Sequence, residues 1–81
     1  MNRRSIIVRA TWDDDAGVWV AESSDIPGLV TEASTLEDLR GKVLAMIPEL
    51  MELNGVTSDL HEIPVHILAE QMARVPNPSM A

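Results

Sequence analysis

The sequence contains no cysteine, tyrosine or phenylalanine, and its only aromatic residues are Trp12 and Trp19. Without cysteine the chain can form neither a disulfide nor a thiolate metal site, so packing alone must hold a fold of 81 residues together. No apolar run approaches the roughly 18 residues of a membrane span, and the basic N-terminus precedes too short an apolar stretch for a signal peptide. We therefore expect one small cytoplasmic domain.

Positive charge is also scarce. The chain has 6 Lys and Arg against 13 Asp and Glu, which gives a formal net charge of -7. A surface of this sign repels phosphate, whereas nucleic-acid-binding proteins are usually basic. We therefore expect no direct binding to nucleic acid.

The first third of the sequence predicts a β-hairpin. Residues 6–12 alternate, with Ile6, Val8, Ala10 and Trp12 on one side, which is typical of a strand with one buried face. The polar run 13–17 ends in a glycine and predicts the loop, and residues 18–23 predict the returning strand. Two registers are open, because Trp12 can pair with Val18 or with Trp19, and a slip of one residue reverses every facing.

A turn, a short strand and a helix are predicted next. Pro27 and Gly28 favour the turn, and residues 29–33 then form a third strand. The hydroxyl of Ser34 is predicted to cap a helix over residues 36–53, whose apolar residues fall on one stripe. Pro48 lies on the polar side of that helix, where a missing hydrogen bond is tolerated. Gly55 is predicted to end the helix in a left-handed conformation.

The rest of the chain predicts a fourth strand and a tail. Alternation resumes over residues 60–69, and Pro64 favours an edge position because proline cannot donate to a strand ladder. We expect an α+β, two-layer β-β-β-α-β fold, with a mixed four-stranded sheet in the order 3-2-1-4 and one helix on one face. Residues 1–69 form the domain, and residues 70–81 form a partly ordered tail.

Three kinds of chemical site are disfavoured by the residues. A calcium loop that begins at Asp13 lacks the glycine at its sixth position and the glutamate at its twelfth. His61 and His66 point to opposite faces of a strand and have no third ligand. The first strand carries no carboxylate for a two-metal nuclease, and no nucleophile triad or phosphate loop is present. We therefore predict a non-enzymatic protein without a metal or other cofactor.

Three segments of the sequence resemble the HicB-like antitoxin superfamily. They are the hairpin 12–21, the turn 24–29 with its Asp25-Ile26-Pro27-Gly28 motif, and the helix entry 32–39, and the resemblance as a whole covers residues 6–69. It implies a degenerate RNase H-like fold without catalytic carboxylates. It also implies a small basic RNase toxin, HicA, as the partner, whose RNA-binding surface the antitoxin covers. The negative net charge agrees with such a partner, because electrostatic complementarity speeds and orients association.

Two features depart from the usual HicB pattern. Leu29 and residues 32–33 stand where the pattern often has a cysteine and a glycine, and Leu39 replaces an expected alanine. These departures resemble a short, stand-alone branch of the superfamily whose function is unsettled. The residues after 69 are too few for the C-terminal DNA-binding domain that many HicB antitoxins carry.

Two functions from different classes follow as hypotheses. In the first, the protein masks a basic partner through an acidic rim with one aromatic anchor. The residues assigned to that role are Asp13, Asp14, Asp15, Trp19, Glu22 and Asp25.

In the second hypothesis the protein is a self-assembling homodimer with a structural or regulatory role and no toxin partner. One face of a four-stranded sheet stays uncovered by a single helix, and exposed apolar patches commonly mark an interface. Leu44 and Met51 flank the helix stripe, where they either widen the core or contact a second chain. The residues assigned to the dimer interface are Ile7, Leu44, Met51, His66 and Leu68.

Overall fold

A computed structural model describes residues 3–80 and contains four strands and one long helix. The elements in chain order are β1 (Ile6–Asp13), β2 (Val18–Glu22), β3 (Val30–Ala33), α1 (Leu36–Asn54), β4 (Val65–Glu70) and a 3-10 turn (Pro78–Met80). The four strands form one sheet in the order β3-β2-β1-β4. β1 pairs antiparallel with β2, β2 pairs antiparallel with β3, and β1 pairs parallel with β4. The predicted fold class and strand order are confirmed.

The register of the hairpin is the one that pairs the two tryptophans. Trp12 lies opposite Trp19, and their ring centroids are 5.4 Å apart in an edge-to-face arrangement at 61°. Such a pair contributes about 0.5–1.5 kcal/mol beyond the area that it buries. Gly17 closes the loop with φ 66°, and its N–H donates to the carbonyl of Asp13 at 2.8 Å. This register places both indoles on the helix side of the sheet.

The helix α1 begins at Leu36, as predicted, but its N-cap lies one residue later than predicted. Thr35, with an extended backbone, accepts a hydrogen bond from the N–H of Asp38 at 3.1 Å. The prediction that Ser34 is the cap is therefore wrong. Both hydroxyls precede the helical run, and the cap is the residue whose backbone is extended directly before the first helical residue.

Removal of the cap tests this correction. We expect Thr35→Ala to lower the free energy of unfolding by about 1 kcal/mol, because the Asp38 N–H loses its acceptor. Ser34→Ala is the matched control and should change stability by less than about 0.5 kcal/mol. Thermal or urea unfolding followed by circular dichroism measures both. Equal losses in the two variants would contradict the assignment of the cap to Thr35.

The helix α1 continues through Pro48 and ends at a left-handed glycine, as predicted. Pro48 is exposed to solvent. Gly55 has φ 66°, and the N–H of Val56 donates to the carbonyl of Met51 at 2.9 Å, which satisfies one of the last helical carbonyls. No helix among residues 3–80 combines the length and apolar character needed to cross a membrane.

The core lies between α1 and one face of the sheet. The helix contributes Leu39, Val43, Ile47 and Met51, and Leu50 packs against them while half-buried. The sheet contributes the helix-side residues of β1 and β2, and the loops add Ile26, Leu29 and Val56. The buried sheet residues of these two strands are Ile6, Val8, Ala10 and Ala21. Of the two roles predicted for Met51, core and dimer contact, the structure shows the core role. Its side chain therefore has almost no exposed surface with which to contact a second chain.

The fourth strand is shorter than predicted. β4 starts at Val65, so the predicted start at residue 60 is wrong. Residues 59–62 form bends, at whose start the hydroxyl of Ser58 accepts from the N–H of Leu60 at 3.2 Å. A local side-chain bond of this kind competes with strand pairing. The predicted edge position of β4 is confirmed, because β1 is its only neighbour in the sheet.

The segment after β4 is extended and exposed. Every residue from 71 to 80 is exposed to solvent, and only the 3-10 turn interrupts the irregular backbone. We call residues 71–80 the C-terminal arm. The molecule measures 56 × 23 × 18 Å and has a radius of gyration of 15.9 Å. A compact chain of this length has a radius of gyration of about 12 Å. The molecule is therefore elongated.

Candidate functional site

The candidate site is the face of the sheet that α1 does not cover, which we call the open face. Strand alternation places on it the side chains of Ile7, Arg9, Thr11, Asp13, Val18, Val20, Glu22, Val30, Glu32, His66, Leu68 and Glu70. We call its exposed apolar side chains the apolar floor, with Ile7 at 43%, Leu68 at 49% and Val30 at 64% of full exposure. Charged residues are interspersed among them, because Glu22 and Arg9 lie between Val30 and Leu68 in the same row of the sheet. An uncovered apolar surface on so small a domain is typical of a binding site.

The open face is acidic as well as apolar. Four carboxylates stand on it against a single cation, Arg9, and they are Asp13, Glu22, Glu32 and Glu70. Arg9 lies opposite Glu22 in the ladder, yet no ion pair joins them among the pairs of residues 3–80. The carboxylates of Glu22, Glu32 and Glu70 likewise make no hydrogen bond within the described chain. These groups are therefore available to a partner.

A groove opens at the end of the open face where β2 has ended and β1 still continues. Ile7, Arg9, Glu22 and Asp25 line it together with the turn before β3. It brings together two residues of the predicted acidic rim and one of the predicted dimer residues. The acidic residues of the predicted rim are thus divided between this groove, with Glu22 and Asp25, and the hairpin tip, with residues 13–15.

Two side chains replace the missing strand in this groove. The hydroxyl of Ser23 donates to the carbonyl of Ile7 at 2.6 Å, and the carboxylate of Asp25 accepts from the N–H of Ile7 at 2.8 Å. We call this pair the Ser23–Asp25 clamp. It satisfies both backbone groups of Ile7 where β2 has no residue to offer.

Asp25 is more constrained than a rim residue needs to be. Its second carboxylate oxygen lies 3.2 Å from the guanidinium of Arg3, and its side chain is only 19% exposed. The backbone of Asp25 is held as well, because its N–H donates to the hydroxyl of Ser23 at 3.2 Å. Asp25 therefore stabilises the part of β1 that extends beyond β2, and both of its carboxylate oxygens have partners within the fold.

The acidic hairpin tip is also partly used within the fold. One carboxylate oxygen of Asp13 accepts from the N–H groups of Asp15 and Ala16, and Asp14 accepts from the indole N–H of Trp12 at 3.1 Å. Four residues along the strand separate this tip from the groove, which is about 13 Å. A partner that contacts both the tip and the groove must therefore span about 13 Å.

Trp19 lies away from the acidic face. It is half-buried on the helix side of the sheet and packs against the core beside Trp12. The structure does not bring it together with Glu22 or with Asp25, because alternate residues of β2 point to opposite faces. The predicted role of an aromatic anchor would require a partner that reaches around the sheet to the helix side.

The residues predicted for a dimer interface divide among three places. Ile7, His66 and Leu68 are neighbours on the open face, with Ile7 directly opposite His66. Leu44 lies on α1, 36% exposed, and Met51 is in the core. Leu44 borders a separate apolar cleft between α1 and the segment before β4, together with Pro48 and Ile63.

Several residues of the open face are not singled out by the sequence patterns. The positions of Val30 and Glu32 on the open face can be deduced from the alternation of side chains along β3, once residues 30–33 are assigned to a strand. The link between Arg3 and Asp25 has no local signal, since the two residues lie far apart along the chain. Among residues 3–80 no three His, Asp or Glu side chains converge in a way that would hold a metal ion.

Comparison with known proteins identifies the family. The family described as a domain of unknown function (DUF1902) matches residues 5–77. The crystal structure of a hypothetical protein from the extremely thermophilic bacterium Thermus thermophilus is 51% identical, with a TM-score of 0.68, and the match covers 91% of this chain and 100% of that one. No curated protein matches the sequence. The chain therefore belongs to the DUF1902 family.

Proposed function

We propose that the protein is a non-enzymatic binding module that acts as a HicB-like antitoxin, or a derivative of one, and masks a small basic RNase. The observation that carries this proposal is the open face, on which glutamates without internal partners alternate with exposed apolar side chains. A protein partner with basic and apolar groups matches both properties. Nucleic acid matches neither, because its phosphates are repelled.

The charge of the whole chain supports the same kind of partner. With a formal net charge of -7, the domain attracts a basic protein over several ångströms and orients its approach. The apolar floor then supplies apolar surface that is removed from water in the complex, and the carboxylates among it pair with the basic groups of the partner. Masking requires only that the basic surface of the RNase is covered, so the antitoxin needs no catalytic group of its own.

The proposal is tested by reconstitution with the product of the adjacent reading frame. We expect that frame to encode a short basic protein that cleaves RNA, and we expect one equivalent of the present chain to stop the cleavage. A binding assay by calorimetry then gives the stoichiometry and the dissociation constant. The antitoxin proposal is wrong if the neighbouring frames encode no basic protein, or if the purified basic protein cleaves RNA equally well in the presence of this chain.

Charge reversal on the open face locates the contact. We expect Glu22→Lys with Glu32→Lys to weaken binding at least about tenfold, because two attractive contacts become repulsive. The matched control is Glu49→Lys with Glu52→Lys, which changes the net charge equally but lies on the exposed side of α1. Lysines near a helix C-terminus are also well tolerated. Equal losses in the two variants would show that net charge matters and that the open face is not the contact.

A second candidate function is a homodimeric structural or regulatory protein without a toxin. The observation that favours it is the unprotected edge of β4, which is continuous with the exposed arm. An edge contact between two copies leaves the open face available, so a homodimer is compatible with the first candidate as well, and the two candidates differ in whether a toxin partner exists.

A further inference from the structure

The C-terminal arm extends from the body of the protein and buries none of its own apolar side chains. The large ones are Met72, Val75 and Met80, which are 70%, 84% and 80% exposed. The accessible surface of the chain is 6049 Å², whereas a compact monomer of 8.9 kDa has about 4,800 Å². The excess of about 1,200 Å² exceeds the roughly 800 Å² that each partner buries in a standard interface.

Most of the arm lies within the unit that defines the family. The match to DUF1902 runs to residue 77, well beyond the end of β4 at Glu70. The segment is therefore part of the domain's architecture. An extended segment of this composition gains stability when its apolar side chains find a surface to cover.

The two edges of the sheet are protected very differently. β3 is only four residues long, and the ammonium group of Lys42 covers its edge by donating to the carbonyl of Glu32 at 2.7 Å. β4 is six residues long, and no hydrogen bond within residues 3–80 reaches its outer side. A free edge of this length is a template for another strand.

The direction of the backbone groups on β4 follows from one hydrogen bond. The N–H of Ile6 donates to the carbonyl of Pro64 at 3.0 Å, so the even-numbered residues of this strand direct their backbone groups toward β1. Val65, Ile67 and Ala69 therefore direct theirs outward. The prolines of this region, at positions 64, 76 and 78, are all even-numbered, so none removes a donor from the outer edge of an extended segment.

We propose that a second copy of this chain pairs antiparallel with the outer edge of β4, and that the two C-terminal arms are exchanged across the pair. Because outward groups occur at odd positions, the two-fold axis passes through a residue of the strand. The two registers that pair most of β4 have the axis at one of its middle residues, Ile67 or Leu68. Charge selects between these registers.

The axis at Leu68 gives complementary neighbours. It places Leu68 opposite Leu68 of the second copy and His66 opposite Glu70 of the second copy, where an imidazole N–H can donate to a carboxylate. Beyond the strand ends, the same register directs the arm along the partner segment before β4, which brings Arg74 toward Glu62 of the second copy. The axis at Ile67 instead places His66 opposite leucine, Glu70 opposite proline and Arg74 opposite leucine, which leaves these polar groups unpaired.

The arm then has a surface to cover. Beyond Gln71 it passes the partner segment before β4, next to the apolar cleft bordered by Leu44, Pro48 and Ile63. Residues 71–81 contain no acidic side chain and one cation, Arg74, whereas the remainder of the chain carries all 13 acidic residues. The arm is thus the part of the molecule that a second acidic copy attracts.

Edge pairing leaves the open faces of the two copies side by side on one continuous sheet. The dimer therefore does not depend on the proposed antitoxin function. Loss of the dimer and loss of toxin binding are separate measurements, and either proposal can fail alone.

Sedimentation equilibrium and amide exchange on the full chain test the proposal directly. At micromolar concentration we expect a mass twice the 8.9 kDa of the monomer. We also expect the outward amides of Val65, Ile67 and Ala69 to exchange as slowly as those of His66 and Leu68. A monomeric mass overturns the proposal. A doubled mass with fast exchange at the three outward amides overturns it as well, because the interface then lies elsewhere.

Two sets of variants test the edge and the register. Ala69→Pro removes an outward N–H at an exposed position and should give a monomer, whereas Ala69→Ser keeps the N–H and should remain dimeric. Arg74→Glu and Glu62→Arg should each weaken the dimer about tenfold, since symmetry repeats the pair twice, and the double variant should recover to within about threefold of the parent. A double variant weaker than either single variant overturns the register. A dimeric Ala69→Pro with an unchanged dissociation constant overturns the edge contact.

Discussion

Val43→Asp is expected to unfold the domain. Val43 is fully buried at the centre of the helix face that packs on the sheet, between Leu39 and Ile47. A carboxylate at this position has no cation or donor within the core, and burial of an unpaired charge costs several kcal/mol. The whole stability of a domain of this size is about 4–12 kcal/mol. We expect loss of the cooperative thermal transition, measured by circular dichroism at 222 nm.

The control for this variant is Ala45→Asp, on the exposed side of the same helix. It introduces the same charge two residues away and should cost only about 0.5 kcal/mol, from the weaker helix propensity of aspartate. A cooperative transition of unchanged midpoint in Val43→Asp would show that this face of α1 is not the one against the sheet. An unfolded Ala45→Asp would show that any added charge on this acidic domain is damaging.

The elements were predictable because their periodicities are strong. β1 alternates between buried and exposed from Ile6 to Thr11, which is the pattern that its apolar residues predict. The parallel pairing of β4 follows from the long helical crossover that precedes it, because antiparallel neighbours are usually joined by short turns. Fold class and strand order are therefore determined by signals that lie within each segment or in its spacing from the next.

The features that sequence reasoning missed depend on atoms distant along the chain or on a choice between equivalent neighbours. Ser34 and Thr35 are chemically similar caps, and only the backbone at the helix entry distinguishes them. The register of the hairpin is decided by the packing of Trp12 on Trp19. The clamp on Ile7 joins residues 16 and 18 positions away, which no local pattern predicts. The sequence prediction places Asp25 in a binding rim on the basis of its charge alone. In the structure its carboxylate contacts Ile7 and Arg3 within the fold.

The Ser23–Asp25 clamp supplies the second large effect. Asp25→Ala should lower the free energy of unfolding by about 3 kcal/mol, because the N–H of Ile7 loses a charged acceptor and Arg3 loses its ion-pair partner. For a domain of this size that corresponds to a decrease of about 12–24 °C in the unfolding midpoint. Differential scanning calorimetry measures the midpoint and the enthalpy together.

Two further substitutions separate the structural role of Asp25 from a role in binding. Asp25→Asn keeps an oxygen that accepts from Ile7 but removes the charge beside Arg3, so we expect a loss of only about 1 kcal/mol, since this ion pair is partly exposed. Asp15→Ala, at the hairpin tip, removes a carboxylate whose side chain makes no hydrogen bond or ion pair in the described chain, and should change stability by less than about 0.5 kcal/mol. The order of stability expected is Asp15→Ala above Asp25→Asn above Asp25→Ala. If Asp25→Ala unfolds at the same midpoint as Asp15→Ala, the clamp does not hold the edge of β1, and the carboxylate of Asp25 is free for a basic partner, as its charge indicates.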